Sequence, residues 1–382
     1  MLKFLKSDKG LIFITLGNVL GAIVTGGFWL LLAMIQTVEE YGETSYIISI
    51  ASLVSSFSLL GLNTTVMTHI VKGFQKIHVQ ANQIVLISSI IGGIILLQVD
   101  WILSFFVVGM AFWMMSLYET LGRKAYKQYA LINVGARSSQ LILSLILYNL
   151  IGVEGIAIGF TISFFLFSYK YFISIKNFSL DFVEVKEKMK FSLHSYSFNL
   201  ANALLLYLDK LIIAPIFGYA MLGYYQLGFQ FLMFLGMIPI SFFQYLIPEE
   251  ASGKKKTRLR ILGIILSLTL ATILFILSPI IIDIFFPTYN QSLDAIRIMS
   301  FGIIPMMVAY MFNSKFLNDG NTKGVVIGAI IYQILQISLM VILGRIMEVT
   351  GLALSVVIAL SGQALFLYLY KNSLKQGKNV KK

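Results

Sequence analysis

The sequence contains no cysteine and little charge. The absence of cysteine among its 382 residues excludes disulfides, thiolate metal sites and cysteine nucleophiles. Charged residues make up 12% of the chain, about half of the roughly 25% that soluble domains carry. Apolar residues make up 58%, more than a soluble core of this size can hide from water. These proportions predict a membrane protein.

Sequence motifs for ATP hydrolysis and for metal binding are also missing. No G-x-x-x-x-G-K-[ST] string occurs, and the stretch from Gly253 to Thr257 is a basic linker without a phosphate-binding loop. We therefore expect that the protein does not hydrolyse ATP itself. His69, His78 and His194 lack metal-ligand spacing, so neither a metal nor another cofactor is expected. The predicted loops are too short for the catalytic centre of a polytopic glycosyltransferase, and we expect no enzymatic activity.

Apolar runs long enough to cross a bilayer recur along the whole chain. A helical span needs about 20 mainly apolar residues. The first run is too long for the core of a signal peptide and is predicted to be a retained span. The twelve predicted spans cover residues 11–36, 44–68, 83–98, 101–120, 137–151, 155–174, 192–216, 221–247, 259–284, 293–316, 324–344 and 349–370.

Lysine and arginine are concentrated in alternate connections between these spans. With a cytoplasmic N-terminus, the inner segments contain 26 of the 29 Lys and Arg residues, whereas the outer connections contain only Arg345. This distribution follows the positive-inside rule, so both termini are predicted to be cytoplasmic. The net charge of +12 is thereby assigned to membrane topology, and nucleic acid is not an expected partner.

The chain shows an internal duplication. Three pairs of landmarks keep their order in the two halves: Asn18 with Asn199, Gly42 with Gly223, and 153–159 with 349–355. The first two pairs share an offset of 181 residues. Both halves start on the inner side, which predicts parallel repeats related by an axis along the membrane normal. The predicted architecture is an all-α polytopic membrane protein with two parallel six-helix halves, 1–180 and 181–382.

A polar stripe lies along the seventh predicted span. At 100° per residue, Ser195, Asn199, Asn202 and Asp209 fall within about 40° of one line, and Lys210 lies about 60° from it. A charge within a span costs about 2.5–3.5 kcal/mol on insertion scales, which makes each one a candidate for function. Because adjacent helical residues do not face each other, Asp209 and Lys210 are expected to meet other partners or a substrate. A structural ion pair and a position at the outer interface are the alternatives.

Other polar residues inside the spans add to this picture. Four residues share one face of the first span: Asn18, Thr25, Trp29 and Gln36. Polar faces on two equivalent spans predict a cavity between the halves. Two further cations, Arg123 and Arg297, follow acids at helical spacing, after Glu119 and Asp294 respectively. Each is either a local ion pair or a cation that faces the cavity.

Four stretches resemble segments of one transporter family, in the same order along the chain. They are Glu119 to Gln140 with Tyr126 and Tyr129; Leu208-Asp209-Lys210-Leu211-Ile212-Ile213 through Gly218 to Leu222-Gly223-Tyr224-Tyr225; Pro287-Thr288-Tyr289 with Ile296-Arg297-Ile298; and Phe316-Leu317-Asn318-Asp319-Gly320-Asn321-Thr322-Lys323. The family is the polysaccharide flippases, the lipid-linked oligosaccharide exporters of the multidrug/oligosaccharidyl-lipid/polysaccharide superfamily. The likeness extends over the whole chain, with twelve spans in two halves.

The resemblance implies export of a polyprenyl-diphosphate-linked oligosaccharide from the inner to the outer leaflet of the plasma membrane by alternating access. It implies a lipid-linked sugar and membrane lipid as partners, with glycosyltransferases or a polymerase of the same pathway as further ones. The candidate residues then have three roles: diphosphate binding by Lys210, Arg297 and Arg123; glycan hydration by Asn18, Asn199 and Asn202; and ion coupling by Asp209.

Two alternative functions remain open. A multidrug or cation antiporter of the same superfamily would need acidic residues in its cavity. The sequence offers Asp209 as the one good acid against several cations, which favours an anionic substrate. A non-transporting scaffold of a glycan assembly complex would need surface for soluble partners, and the short loops provide little of it.

Overall fold

The computed structural model describes residues 9–176, 181–251, 257–318 and 321–379. Within these ranges the chain is almost entirely helical and contains no strand. The helices are α1 Lys9–Ile35, α2 Val38–Ser58, α3 Leu62–Ile70, α4 Ile77–Leu96, α5 Trp101–Gly122, α6 Tyr126–Ile151, α7 Val153–Leu166, α8 Tyr169–Ile175, α9 Val183–Glu187, α10 Met189–Phe217, α11 Tyr219–Ala251, α12 Thr257–Phe285, α13 Leu293–Ser300, α14 Ile303–Asn318 and α15 Thr322–Asn379. A 3₁₀ helix, Pro287–Ser292, precedes α13.

The helix lengths fit a twelve-span protein. In the described residues, nine helical stretches are long and apolar enough to cross a membrane, or eleven if the bent pairs α2–α3 and α7–α8 are each one span. At 1.5 Å per residue, the 58 residues of α15 would extend about 87 Å, nearly three times the thickness of the hydrocarbon layer. A non-helical residue, Glu348, breaks α15, so this helix supplies two spans. The predicted all-α architecture of about twelve spans is confirmed.

The fifth span differs from its predicted extent. The prediction began this span at residue 137, whereas α6 begins at Tyr126 and has 26 residues. The prediction was wrong because Lys127 and Arg137 were counted as residues of an inner connection. The structure instead places Arg137 near the middle of the helix.

Two compact units divide the described residues. The first comprises the chain up to Trp29 together with Glu43–Leu211, and the second comprises Leu30–Gly42 together with the chain from Ile212 onwards. The first unit thus contains most of α1 and α10 and all of α3 to α9. The predicted halves, 1–180 and 181–382, are defined by sequence repetition rather than by compactness, and they stay a prediction.

The bend between α2 and α3 positions part of the polar stripe on α10. Leu60 and Gly61 have φ values of 49° and 72°, which turn the chain by 52° between the two helices. A Cβ at Gly61 would overlap the Ser192 carbonyl oxygen, so glycine is required where α10 crosses the bend. The Ser192 hydroxyl donates a hydrogen bond of 2.9 Å to the Leu60 carbonyl. This contact holds the inner part of α10 against α3.

Two helical hairpins make the same close backbone contact at equivalent glycines. A Cβ at Gly155 would overlap the Leu147 carbonyl oxygen, and a Cβ at Gly351 would overlap that of Leu343. Gly351 lies 196 residues after Gly155, and Leu343 lies 196 residues after Leu147. Close backbone packing at small residues is the usual way that helices pair in membranes. The two hairpins therefore use the same contact.

A second repeated contact lies in the second unit, where α2 begins beside the start of α11. A Cβ at Gly42 would overlap the Tyr219 carbonyl oxygen, and a Cβ at Gly223 would overlap the Val38 carbonyl oxygen. The 181-residue offset relates Val38 to Tyr219 and Gly42 to Gly223. A reciprocal contact of this kind is expected where two equivalent segments meet at a two-fold axis.

Glu348 is expected to strain the turn between the last two spans. Its backbone has φ 49° and ψ −131°, a conformation that costs an L residue about 1–3 kcal/mol. The equivalent turn of the first half has Gly152 there, with φ 73°. We predict that Glu348→Gly stabilises the protein by about 1 kcal/mol after the larger unfolded-state entropy of glycine is subtracted. Thermal unfolding in detergent measures the change. Glu348→Ala, which removes the charge but keeps a Cβ, should give no comparable gain; an equal gain would contradict a backbone origin.

Gly42→Ala is expected to weaken the contact between α2 and α11. The added methyl group overlaps the Tyr219 carbonyl oxygen, and such overpacking costs about 1–3 kcal/mol. The matched control is Gly27→Ala in α1, because a Cβ there meets nothing within 4 Å and alanine favours a helix by up to about 1 kcal/mol. Thermal unfolding should rank the two variants on opposite sides of the wild type. Equal stabilities would show that the close approach at Gly42 is unimportant.

Candidate functional site

The polar residues of the first unit meet where α1 packs against α6. A Cβ at Gly17 would lie 2.9 Å from the Ala130 Cα, so the two helices approach closely. The Asn133 amide donates a hydrogen bond of 3.1 Å to the Gly17 carbonyl. The Tyr129 hydroxyl donates one of 2.7 Å to Asn18 Oδ1. The predicted residue Asn18 is exposed and is held by this tyrosine.

Arg137 extends the polar face of α6 by two further turns beyond Tyr129. It follows Asn133 by four residues, so the two side chains lie on one face of the helix. Its guanidinium carbon lies 5.3 Å from the centre of the Trp113 ring, which belongs to α5. The phenol groups of Tyr129 and Tyr207 lie close enough to interact electrostatically with it. In the described part of the chain, no acidic residue pairs with Arg137.

Sequence reasoning missed Arg137 because the fifth span was predicted to be too short. A signal was nevertheless present, since Tyr129, Asn133 and Arg137 are spaced four residues apart. That spacing marks one face of a helix. A search for polar residues at helical spacing across the predicted span boundary would have found this face.

The polar stripe on α10 divides into separate environments. The Asn199 amide donates hydrogen bonds to Thr64 Oγ1 at 3.1 Å and to Asn63 Oδ1 at 3.3 Å, which ties this part of the stripe to α3. Asn202 is exposed, and its amide donates to the Phe198 carbonyl of the same helix. The structure therefore does not join the three predicted asparagines, at positions 18, 199 and 202, in one hydrogen-bonded cluster.

Asp209 and Lys210 form a buried ion pair with each other. The Lys210 ammonium lies 2.9 Å from both carboxylate oxygens of Asp209 and donates a further hydrogen bond of 2.8 Å to the Leu206 carbonyl. The side chains are 4% and 1% exposed for Lys210 and Asp209. The structure therefore contains the ion pair that the sequence analysis kept as an alternative, because the long lysine side chain folds back over its own helix.

Arg123 lies at the inner end of α5, with partners on two helices. Its Nε donates to Glu119 Oε1 at 2.7 Å, and its Nη2 lies 3.2 Å from His78 Nε2 of α4. The residue is exposed and borders a surface pocket of about 360 Å³ that Gln75 and Lys124 also line. Arg123 is thus an interfacial cation with one charge partner.

Arg297 belongs to the second unit. Its Nη1 lies 3.8 Å from Asp294 Oδ1, and its guanidinium carbon lies 5.1 Å from the centre of the Phe275 ring. The local pairing with Asp294 that the sequence spacing suggested is present, although it is long. The three candidate cations, at positions 210, 297 and 123, therefore each have an acidic neighbour.

Metal binding finds no support among the described residues, in which no group of three His, Cys, Asp or Glu side chains could hold an ion. What the first unit offers is a set of amides, phenols and cations at the helix faces. Such groups bind polar or anionic molecules without covalent chemistry.

No family model matches the sequence, and no curated protein matches it. Several solved structures, in contrast, superpose on this chain. "Lipid II flippase MurJ, inward closed conformation" superposes with a TM-score of 0.71 over 94% of this chain and 87% of that chain, at 15% identity. "Inward-facing conformation of a multidrug resistance MATE family transporter of the MOP superfamily" gives a TM-score of 0.74 over 97% of this chain and 99% of that chain, at 14% identity.

The outward-facing conformation of a MATE family transporter gives a TM-score of 0.62 at 14% identity, over 98% of this chain and 97% of that chain. At these identities the likeness concerns the fold. These structural neighbours are transporters and not enzymes. The chain therefore has the helical transporter fold that the MurJ flippase and the MATE transporters share.

Proposed function

We propose that the chain moves a lipid-linked saccharide, joined to its lipid through phosphate groups, between the leaflets of the plasma membrane by alternating access. The fold supports this proposal because one structural neighbour, MurJ, is a lipid II flippase. The resemblance of four sequence stretches to polysaccharide flippases supports the saccharide class. In this role the protein accepts a product of glycosyltransferases and delivers it for surface polysaccharide or glycan assembly.

The balance of charge in the first unit is the observation on which the proposal rests. Asp209 is ion-paired with Lys210, and Glu119 is ion-paired with Arg123. Arg137 adds a positive charge that has no acidic partner within the described residues. An anionic head group offsets such a surplus, whereas a cationic drug increases it.

The predicted site residues take roles within this proposal that follow from their contacts. Asn18 is exposed, and its amide nitrogen can donate to a glycan while its oxygen accepts from Tyr129. Arg123 at the inner end of α5 suits the first encounter with a head group from the inner leaflet. Lys210 contributes to head-group binding only when it releases Asp209, and Asp209 becomes available to a coupling ion in the same step. Arg297 belongs to the second unit and stays a proposed phosphate-binding residue of that unit.

A multidrug antiporter is the second candidate function. The observation that favours it is the extent of the structural superposition. The superposition covers 99% of the length of a multidrug resistance MATE transporter but 87% of the length of MurJ. An antiporter of cationic drugs needs a carboxylate that the drug can approach. Asp209 is the predicted candidate, and its side chain is 1% exposed. The burial of this acid places the antiporter second.

A transport assay in sealed liposomes tests the proposal. Polyprenyl-diphosphate oligosaccharide placed in the inner leaflet should become accessible to an external glycosidase at least about ten times faster with the protein than in empty liposomes. The binding energy of a specific head-group site makes such a difference reachable. Ethidium efflux driven by a proton or sodium gradient is measured on the same preparation. Gradient-driven ethidium efflux without lipid movement would favour the antiporter, and neither activity would favour a scaffold.

The buried pair on α10 is tested by a double-mutant cycle. Lys210→Met leaves an uncompensated carboxylate inside the protein, which should cost about 3–5 kcal/mol. The double variant Asp209→Leu/Lys210→Met removes both charges and should recover most of that stability. Thermal unfolding in detergent gives the comparison. Glu187→Gln is the control, because its pair with Lys188 is partly exposed and should contribute less than about 1 kcal/mol.

Transport by the double variant then separates a functional role of the pair from a structural one. If Asp209 couples an ion or Lys210 binds the head group, the folded double variant should lose gradient-driven transport. Wild-type transport by this variant would assign the pair a purely structural role.

A further inference from the structure

Arg137 cannot escape from the membrane interior along its own helix. It lies eleven residues after Tyr126, where α6 begins, and fourteen residues before Ile151, where α6 ends. At 1.5 Å per residue these separations are about 16 Å and 21 Å. A lysine or arginine near a helix end reaches the interface with its long side chain, but an extended arginine spans only about half the shorter distance. Snorkelling to the interface therefore does not explain this residue.

The groups that face Arg137 do not neutralise it. Trp113 offers the face of its ring, which supports the guanidinium without accepting its hydrogen bonds in the ring plane. The Tyr129 hydroxyl is directed to Asn18, and the Tyr207 hydroxyl bonds to Ser52. Asn133, the nearest amide along the same face, donates to the Gly17 carbonyl. No residue that the structure describes accepts a hydrogen bond from the guanidinium.

Two further unsatisfied donors lie beside this arginine. The indole nitrogen of Trp113 is buried and has no hydrogen-bond acceptor, and an indole N–H can only donate. Gln140 follows Arg137 by three residues and is 3% exposed; its side-chain nitrogen also has no acceptor. Buried donors that lack acceptors cost free energy. These two buried donors and the half-buried guanidinium belong to the neighbouring helices α5 and α6, and a ligand with several oxygen atoms can accept from donors of this kind.

We infer that Arg137, Trp113 and Gln140 form an anion site in the first unit, and that this site binds the phosphate group of a lipid phosphate. The guanidinium presents paired N–H groups that match the oxygens of a phosphate. Arg137 is half-buried, so a ligand can reach its guanidinium, whereas the donors of Trp113 and Gln140 lie behind it in the protein interior. The choice of a lipid phosphate rests on the proposed function, whereas the anion site itself rests on the donors described above.

The protein's few tryptophans provide a direct probe of this site. The sequence contains three, Trp29, Trp101 and Trp113, so the variant Trp29→Phe/Trp101→Phe leaves only the indole that contacts Arg137. Farnesyl diphosphate, a short-chain prenyl diphosphate, is titrated into this variant in detergent while its fluorescence is recorded. Farnesol and inorganic pyrophosphate are titrated in parallel. We expect saturable fluorescence change with farnesyl diphosphate, at least about tenfold weaker binding of pyrophosphate, and no saturable change with farnesol.

Substitutions at Arg137 distinguish a binding role from a structural one. Arg137→Gln in the single-tryptophan background should weaken farnesyl diphosphate binding at least about tenfold, as expected for loss of a charge-assisted hydrogen bond. Arg137→Lys keeps the charge and should retain part of the affinity. The matched control is Arg345→Gln, which replaces an exposed arginine of α15 in the second unit and should bind as the parent does. Ligand-induced thermal stabilisation of the otherwise wild-type chain provides the same test if Arg137→Gln does not fold.

Each result has a defined meaning. Unchanged affinity in folded Arg137→Gln, or equal responses to farnesol and farnesyl diphosphate, would overturn the anion site. Equal binding of inorganic pyrophosphate would overturn the assignment to a lipid phosphate. The proposed function fails separately: liposomes that show no lipid movement, combined with Arg137-dependent binding in detergent, would remove the flippase and leave the site. Lipid movement that persists at wild-type rate in Arg137→Gln would remove the site and leave the flippase.

Discussion

The structure depends on one constraint, the cost of placing a polar group in hydrocarbon without a partner. Water cannot satisfy such groups inside a bilayer, so the protein must supply the partners itself. Asp209 and Lys210 satisfy each other and a backbone carbonyl within one helix. Hydroxyl groups along the spans do the same on a smaller scale, as Thr65 does with the Gly61 carbonyl one turn before it. A chain with so little charge can therefore tolerate each buried charge only under specific compensation, and a charge without an acidic or basic partner stands out against this background.

Glycine placement is the second organising feature, and it follows from the same solvent. Helices in lipid gain little from burying apolar side chains against each other, so close backbone contact provides more of the packing energy. Gly42 and Gly223 provide such a contact in the second unit, and Gly17 provides one between α1 and α6 in the first. The α1–α6 contact has a functional consequence. It brings Asn18 within hydrogen-bonding distance of Tyr129, a residue 111 positions later in the chain, and so builds a polar face from two helices.

The sequence predicted the large features of this fold because they depend on composition and period. The number of spans follows from apolar runs, and the limits of α1 and α10 lie within a few residues of those predicted. The local contacts were harder to predict. The Asp209–Lys210 ion pair was only an alternative in the sequence analysis, because the rule for helical neighbours describes Cβ directions and not a lysine side chain that folds back. Arg137 escaped because a positive charge near a predicted boundary was assigned to the loop. The partners of Asn18 and Asn199 depend on which helices pack together, and helical periodicity does not contain that information.

Arg137 and Arg297 would hold an anionic substrate differently under the proposed function. Arg297, in the second unit, already has Asp294 near its guanidinium, so an incoming anion must compete with a resident carboxylate. Arg137, in the first unit, has the face of an indole and two phenols near it and no acidic partner among the described residues, so in the proposed site an anion would not compete with a carboxylate. All the donors of the Arg137 site come from α5 and α6, two neighbouring helices of one compact unit. A site built this way keeps its geometry through any rearrangement that leaves the first unit intact. In the proposed alternating-access cycle, its access to either side of the membrane would then change without the donors having to be reassembled.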